Sequence, residues 1–167
     1  MRQCFSNAQI ADFLRKSYLA VDGLWFMKVE ELLSQADAMD LDESVWSVMY
    51  KIQARKAREV LGLTGGSLDD LARAFQLKLT SEGYEFDAEM TEDELVITIA
   101  KCPWYEVLKS SGRTHLTETI ANRICGNEFS GWTSELAENV EFVVCSGLCK
   151  ESDTGNTCRL VFRSHML

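Results

Sequence analysis

At Gly83 the hydrophobic pattern of this chain changes period, and that change limits the fold more than any other feature. Before it, apolar residues recur at intervals of three and four, as on one face of a helix. After it they alternate, as on one face of a strand. Such a chain makes helices first and strands second. Each must bury its apolar side on the other, so the expected class is α+β, with N-terminal helices packed on a four-stranded antiparallel sheet. With 167 residues the chain can enclose one sizeable core.

Residues 1–80 read as a helical layer. From Asn7 to Ser34 the apolar positions Ile10, Phe13, Leu14, Tyr18, Val21, Leu24, Trp25, Val29, Leu32 and Leu33 fit a helix, with Asn7 as its N-cap and Gly23 as a point of weakness. A second helix is expected from Asp40-Leu41-Asp42-Glu43, whose acids suit the positive end of the dipole. It carries Val45, Trp46, Met49, Ile52 and Val60 inward, Lys51, Arg55, Lys56 and Arg58 outward, and stops at Leu61-Gly62. Ser67, with Asp70 three residues on, caps a third helix reaching Leu79.

Residues 81–167 hold the strands. Tyr84, Phe86, Ala88 and Met90 share one face, Leu95, Ile97 and Ile99 another, and Thr91-Glu92-Asp93 turns between them. Pro103 suits the first position of a short helix. Another helix is expected from Thr114 to Cys125, closed by Gly126, while residues 129–139 leave helix and irregular chain both open. A second hairpin, Val140–Cys149 with Thr157–Arg163, finishes the sheet. The 1–80 and 81–167 parts are expected to form one compact domain.

The net charge of −9 disfavours phosphate backbones and anionic membrane surfaces as partners. No apolar run approaches the roughly 18 residues of a membrane span. The opening MRQCFSNAQIADFLRK lacks the apolar stretch of a signal peptide, so the cytoplasm is the expected compartment.

In a reducing compartment, clustered cysteines point to metal binding or thiol chemistry. Five of the six stand at positions 102, 125, 145, 149 and 158. A symmetric final hairpin centred between Asp153 and Thr154 would set Cys149 opposite Cys158, Gly147 opposite Leu160 and Cys145 opposite Phe162. Cys102 precedes Pro103 at a helix N-terminus, where free N–H groups favour a thiolate. Cys125 falls at a helix C-end, which favours no anion, so it reads as a ligand or a buried residue. Together Cys102, Cys125, Cys149 and Cys158 would suit zinc or an iron–sulfur cluster, with Cys145 as a spare. The alternative is that these residues pack as small hydrophobes.

Other residues could add chemistry. His115 could serve as a base for a thiol, or be an exposed helix histidine. Glu128 could act as a general acid or base if burial raises its pKa. Trp104 and Tyr105, next to Cys102, and Arg123, two residues before Cys125, could line a ligand. Trp25, Trp46, Trp132, Tyr84 and Phe129 could wall a pocket or fill the core.

The order Cys-Pro-Trp-Tyr at 102–105, an isolated Cys125, and a closing Cys-Arg-Leu-Val-Phe at 158–162 resembles the L-2-amino-thiazoline-4-carboxylate hydrolase-like family. That group is similar in layout to the 4-vinyl reductase domain, a small-molecule-binding module with clustered cysteines. The resemblance spans about residues 80–163, and Gly155 matches the glycine before the last cysteine. The aspartate that follows the family's middle cysteine is displaced here, at best, to Glu128. Two functions are thus expected as alternatives. One is a metal-, metallocofactor- or small-molecule-binding module acting as a sensor or accessory protein, with its N-terminal helices available for self-association. The other, implied by the resemblance, is a hydrolase using a Cys102 thiolate or a metal-activated water.

Overall fold

The structure, a computed structural model, describes residues 4–147, 149 and 157–165, with 144–146 described by backbone alone. It divides into two compact units, Met1–Ser44 and Val45–Leu167. The boundary falls inside the second helix, whereas the sequence pattern changes only after residue 80.

In the first unit, α1 runs over Asn7–Leu32. Its cap is Ser6 and not Asn7: Ser6 Oγ accepts from the Gln9 amide at 3.2 Å, and the Gln9 side chain accepts from the Ser6 amide at 2.8 Å. This reciprocal pair satisfies two amides that the helix cannot. The helix continues through Gly23, and Phe26 is its one buried residue. α2, Gln35–Leu61, starts ahead of the acidic run because Ser34 Oγ takes the Asp37 amide at 3.1 Å.

In the second unit, the later half of α2 is tied to α6, Gly126–Leu136. Arg55 grips Glu135 with two hydrogen bonds of 2.9 and 3.0 Å, and Arg58 donates to the Glu135 carbonyl at 2.6 Å. Two of the four cations assigned to the solvated side therefore hold one helix to another. α3, Leu68–Glu82, is capped by Ser67 as expected and stopped by Gly83 in the left-handed region. Its buried Phe75 meets the rings of Phe129, Trp132 and Phe162 at centroid distances of 5.9, 5.6 and 4.9 Å, and these form the centre of the core.

The sheet has four antiparallel strands in the order β1-β2-β4-β3, as the α+β reading requires. They are β1 Glu85–Met90, β2 Glu94–Lys101, β3 Val140–Ser146 and β4 Cys158–Ser164. Leu95, Ile97 and Ile99 face the core, as their alternation predicts. The final hairpin is in another register than the symmetric turn implied. Cys145 pairs with Leu160 and Ser146 with Arg159, after an irregularity between Phe142 and Val144. One step further, Gly147 lies against Cys158, where an added Cβ would stand 2.1 Å from the Thr157 carbonyl oxygen and 2.5 Å from the Cys158 Cα. Cys149 is therefore not the cross-strand neighbour of Cys158.

α4, Pro103–Ser110, begins on Pro103 as expected. The next helical stretch does not close at Gly126, whose φ of −60° is that of a helix interior. A short 3-10 turn, Thr114–Leu116, leads into α5, Thr117–Ile120. A wide turn, Ala121–Cys125, passes directly into α6. Cys125 thus sits within a continuous helical run. Among the described residues no helix is long and apolar enough to cross a membrane.

Candidate functional site

α3 carries Leu71, Ala74, Phe75, Lys78, Leu79 and Glu82 on one buried face. Four of these are apolar, as a core-facing helix requires. Lys78 and Glu82, one turn apart, break that stripe at its C-terminal end. On α6, Glu128 and Trp132 are again one turn apart on the buried side. Packing α3 against α6 brings these four residues together.

The ammonium of Lys78 lies 2.7 Å from Glu82 Oε1 and 2.8 Å from Glu128 Oε1, with all three side chains at most 8% exposed. The first contact is an aligned hydrogen bond. The second is a charge contact without hydrogen-bond alignment. The ammonium also stands 5.6 Å from the centre of the Trp132 ring. Gln53 on α2 donates to Glu82 Oε1 at 3.4 Å. Burial alone would lower the pKa of Lys78, but the Glu128 and Glu82 carboxylates outweigh it and raise the value, so the lysine is charged. Burial dominates at Glu128 and pushes its pKa up, with Lys78 opposing and Glu82 assisting. The burial expected to raise the Glu128 pKa is therefore present.

Two further groups border this cluster. Tyr84 immediately precedes β1 and Cys102 immediately follows β2, and their side chains are hydrogen-bonded. Burial, then the charge of Cys102 and the two glutamates, raises the Tyr84 pKa well above its ordinary value. For Cys102 the expected ionisation is reversed. Burial raises its pKa, and the amides of Tyr105 and Trp104 and the Tyr84 hydroxyl, all of which favour the thiolate, do not compensate. Glu128 adds repulsion. A helix N-terminus can lower a thiol pKa only while the sulfur keeps enough solvation, and burial outweighs it here.

Glu82 Oε2 and Trp132 Nε1 are buried without a hydrogen-bond partner, and Glu128 Oε1 has only its charge contact with Lys78. An unsatisfied buried acceptor and donor each cost roughly 1–3 kcal/mol.

The structure draws Cys102 and Glu128 into one cluster, with Cys125 close enough to act on Tyr84. His115 is exposed on its 3-10 turn and joins no part of it. Trp104 is half-buried and meets Trp46 edge-on at 5.5 Å, and Tyr105 and Arg123 are half-buried. Cys4 and Cys102 are free thiols. Among the described residues no three His, Cys, Asp or Glu side chains stand where they could share a metal ion, so the zinc or iron–sulfur expectation finds no ligand set there. The side chain of Cys145 and the turn residues 150–156 lie outside the described residues. Lys78 and Glu82 are the members the sequence pattern passed over. Their signal was a pair of charges on the apolar face of a helix.

Fold and site together define an α+β protein with a buried ion cluster of one lysine and two glutamates, beside a thiol and a phenol whose pKa values burial raises. The chain belongs to the family of unknown function DUF6125, whose model matches residues 5–163. No curated protein and no solved structure matches it.

Proposed function

We propose that this protein is a small-molecule-binding module, a sensor or accessory protein of the cytoplasm, whose ligand lies against Lys78, Glu82 and Trp132 with Cys102 and Tyr84 beside it. The observation that carries this reading is the pair of unpartnered buried atoms. Glu82 Oε2 offers an acceptor and Trp132 Nε1 a donor, next to an ammonium engaged by both carboxylates. A core built only for stability has little use for such a cluster, since well-packed apolar side chains of similar volume are often as stable or more so. With both acids ionised the cluster carries one excess negative charge, which disfavours an anionic ligand. A neutral or cationic molecule with one hydrogen-bond donor and one acceptor fits best. The free thiols of Cys4 and Cys102 suit a reducing compartment. The hydrolase alternative draws no support from a Cys102 whose pKa is raised or from an exposed His115.

A thermal-shift screen with acetamide, imidazole, ethanolamine and, as anions, acetate and phosphate tests the reading. Neutral or cationic members should raise Tm and the anions should not. A ligand at 100 times its Kd adds about 2.7 kcal/mol, a shift of several degrees for a domain of this size. Glu82→Gln and Trp132→Phe should abolish the response. If no probe shifts Tm, or if both variants respond like the wild type, one ordered water or a purely structural polar core replaces this proposal.

A further inference from the structure

We infer that α1 is a self-association surface: two copies of this chain pack α1 against α1 in antiparallel fashion about a two-fold axis. This inference uses none of the ligand-site residues. α1 is 26 residues long and buries Phe26 alone, yet Phe13 is 70% and Val21 61% exposed, with Leu14, Leu24 and Met27 also exposed. A helix of this kind gains little from intrinsic propensity and needs an apolar partner.

The spacing of the exposed face says what kind of partner fits. Ile10, Phe13, Ser17, Ala20, Leu24 and Met27 follow one another at intervals of three and four over nearly three heptads, the seam of a two-helix coiled coil. In an antiparallel pair centred between Ser17 and Ala20, Ile10 meets the other copy's Met27 and Phe13 meets its Leu24. Ser17 then meets Ala20, and two small residues at the axis let the backbones approach. Every layer is apolar or small, and the seam is complementary to itself, as a two-fold interface demands.

Charge points to the same occupant. Within α1, Asp12 is paired with Arg15 and Lys16, and Lys28 with Glu31, so most of its charges are satisfied on the helix itself. Its three cations and four anions leave a net −1, against −9 for the chain, so this helix meets a copy of itself with little repulsion. The half holding Arg15 and Lys16 is net positive and the half holding Asp22, Glu30 and Glu31 is net negative. Antiparallel pairing sets opposite signs together. At roughly 100 Å² from each of Ile10, Phe13, Leu24 and Met27 and from flanking Leu14 and Val21, one copy would bury about 600 Å², the low end of what a specific interface takes from each partner.

Sedimentation equilibrium of the full chain from 1 to 100 μM should give twice the 18.9 kDa of one copy. Phe13→Glu with Leu24→Glu should weaken association at least tenfold while leaving the thermal transition of the sheet-containing unit in place. As a second variant, Ser17→Cys with Ala20→Cys in a Cys4→Ser background should give a disulfide-linked dimer under mild oxidation. Ala11→Cys with Arg15→Cys, on the opposite face, should not. A monomer at 100 μM, or a dimer that survives the glutamate pair, overturns the inference. A dimer that yields no cross-link in the first cysteine variant, or one in the second, overturns the antiparallel register.

Discussion

Replacing Lys78 by methionine keeps most of the side-chain volume and removes the cation that faces both Glu82 and Glu128. The wild-type contacts are 2.7 and 2.8 Å in a site closed to solvent. Removing one partner of a buried pair costs about 3–5 kcal/mol, because the remaining charge is left without compensation. Here two carboxylates remain, so the upper end of that range is expected. Against a usual total of about 5–15 kcal/mol, the loss lowers the urea midpoint markedly at pH 7.5. The pH dependence carries a second signature. Glu128 already has a raised pKa in the folded state, and Lys78 opposes that rise, so its removal raises the value further. A carboxyl whose folded pKa exceeds its unfolded value of about 4.3 contributes stability that is present below that value and lost as pH rises through the folded pKa. The Lys78→Met deficit should therefore shrink between pH 7.5 and 5. Adding Glu82→Gln and Glu128→Gln, which removes every charge, should restore at least half of it. The assay is urea unfolding followed by circular dichroism. A loss below about 1 kcal/mol, flat from pH 7.5 to 5, would refute the buried ion cluster and the ligand site built on it.

Two further outcomes test the local assignments. Iodoacetamide at pH 7 should label exposed Cys4 first and Cys102 at least tenfold more slowly, because burial raises the Cys102 pKa; mass-spectrometric mapping of a Cys102 that reacts fastest would restore the nucleophile. Gly126→Ala should stabilise by about 0.5–1 kcal/mol, since it fills open space inside a helix. Gly147→Ala should cost several times that in the same unfolding assay, because its φ of +132° and the backbone of residues 157 and 158 both exclude a Cβ.

Much of the architecture was legible because it follows from local chemistry. Alternation in Leu95, Ile97 and Ile99, Pro103 at a helix start, and Ser67 before Asp70 act within a few residues and need no partner. The errors have local causes too. Ser6 and Asn7 are both good caps, and Gln9 at the third helical position decides for Ser6. Gly126 resembles a helix stop, but Phe129, Trp132 and Leu136 bury themselves only if the helix continues, and tertiary packing overrides the glycine. The hairpin register failed because symmetry about a turn assumes no irregularity, and one lies between Phe142 and Val144.

The site divides in the same way. Cys102 and Glu128 are recognisable from residue type and neighbours, but their protonation depends on what surrounds them, and burial reversed the expectation for the thiol while meeting it for the acid. Lys78 and Glu82 look like ordinary helix charges until α3 is turned toward α6. The sequence alone determined that this chain makes helices and then an antiparallel sheet, because hydrophobic period and capping are properties of neighbouring residues. Only the tertiary structure decided that Lys78, Glu82 and Glu128 meet as a buried ion cluster, because desolvation and charge pairing exist only between segments that the fold brings together.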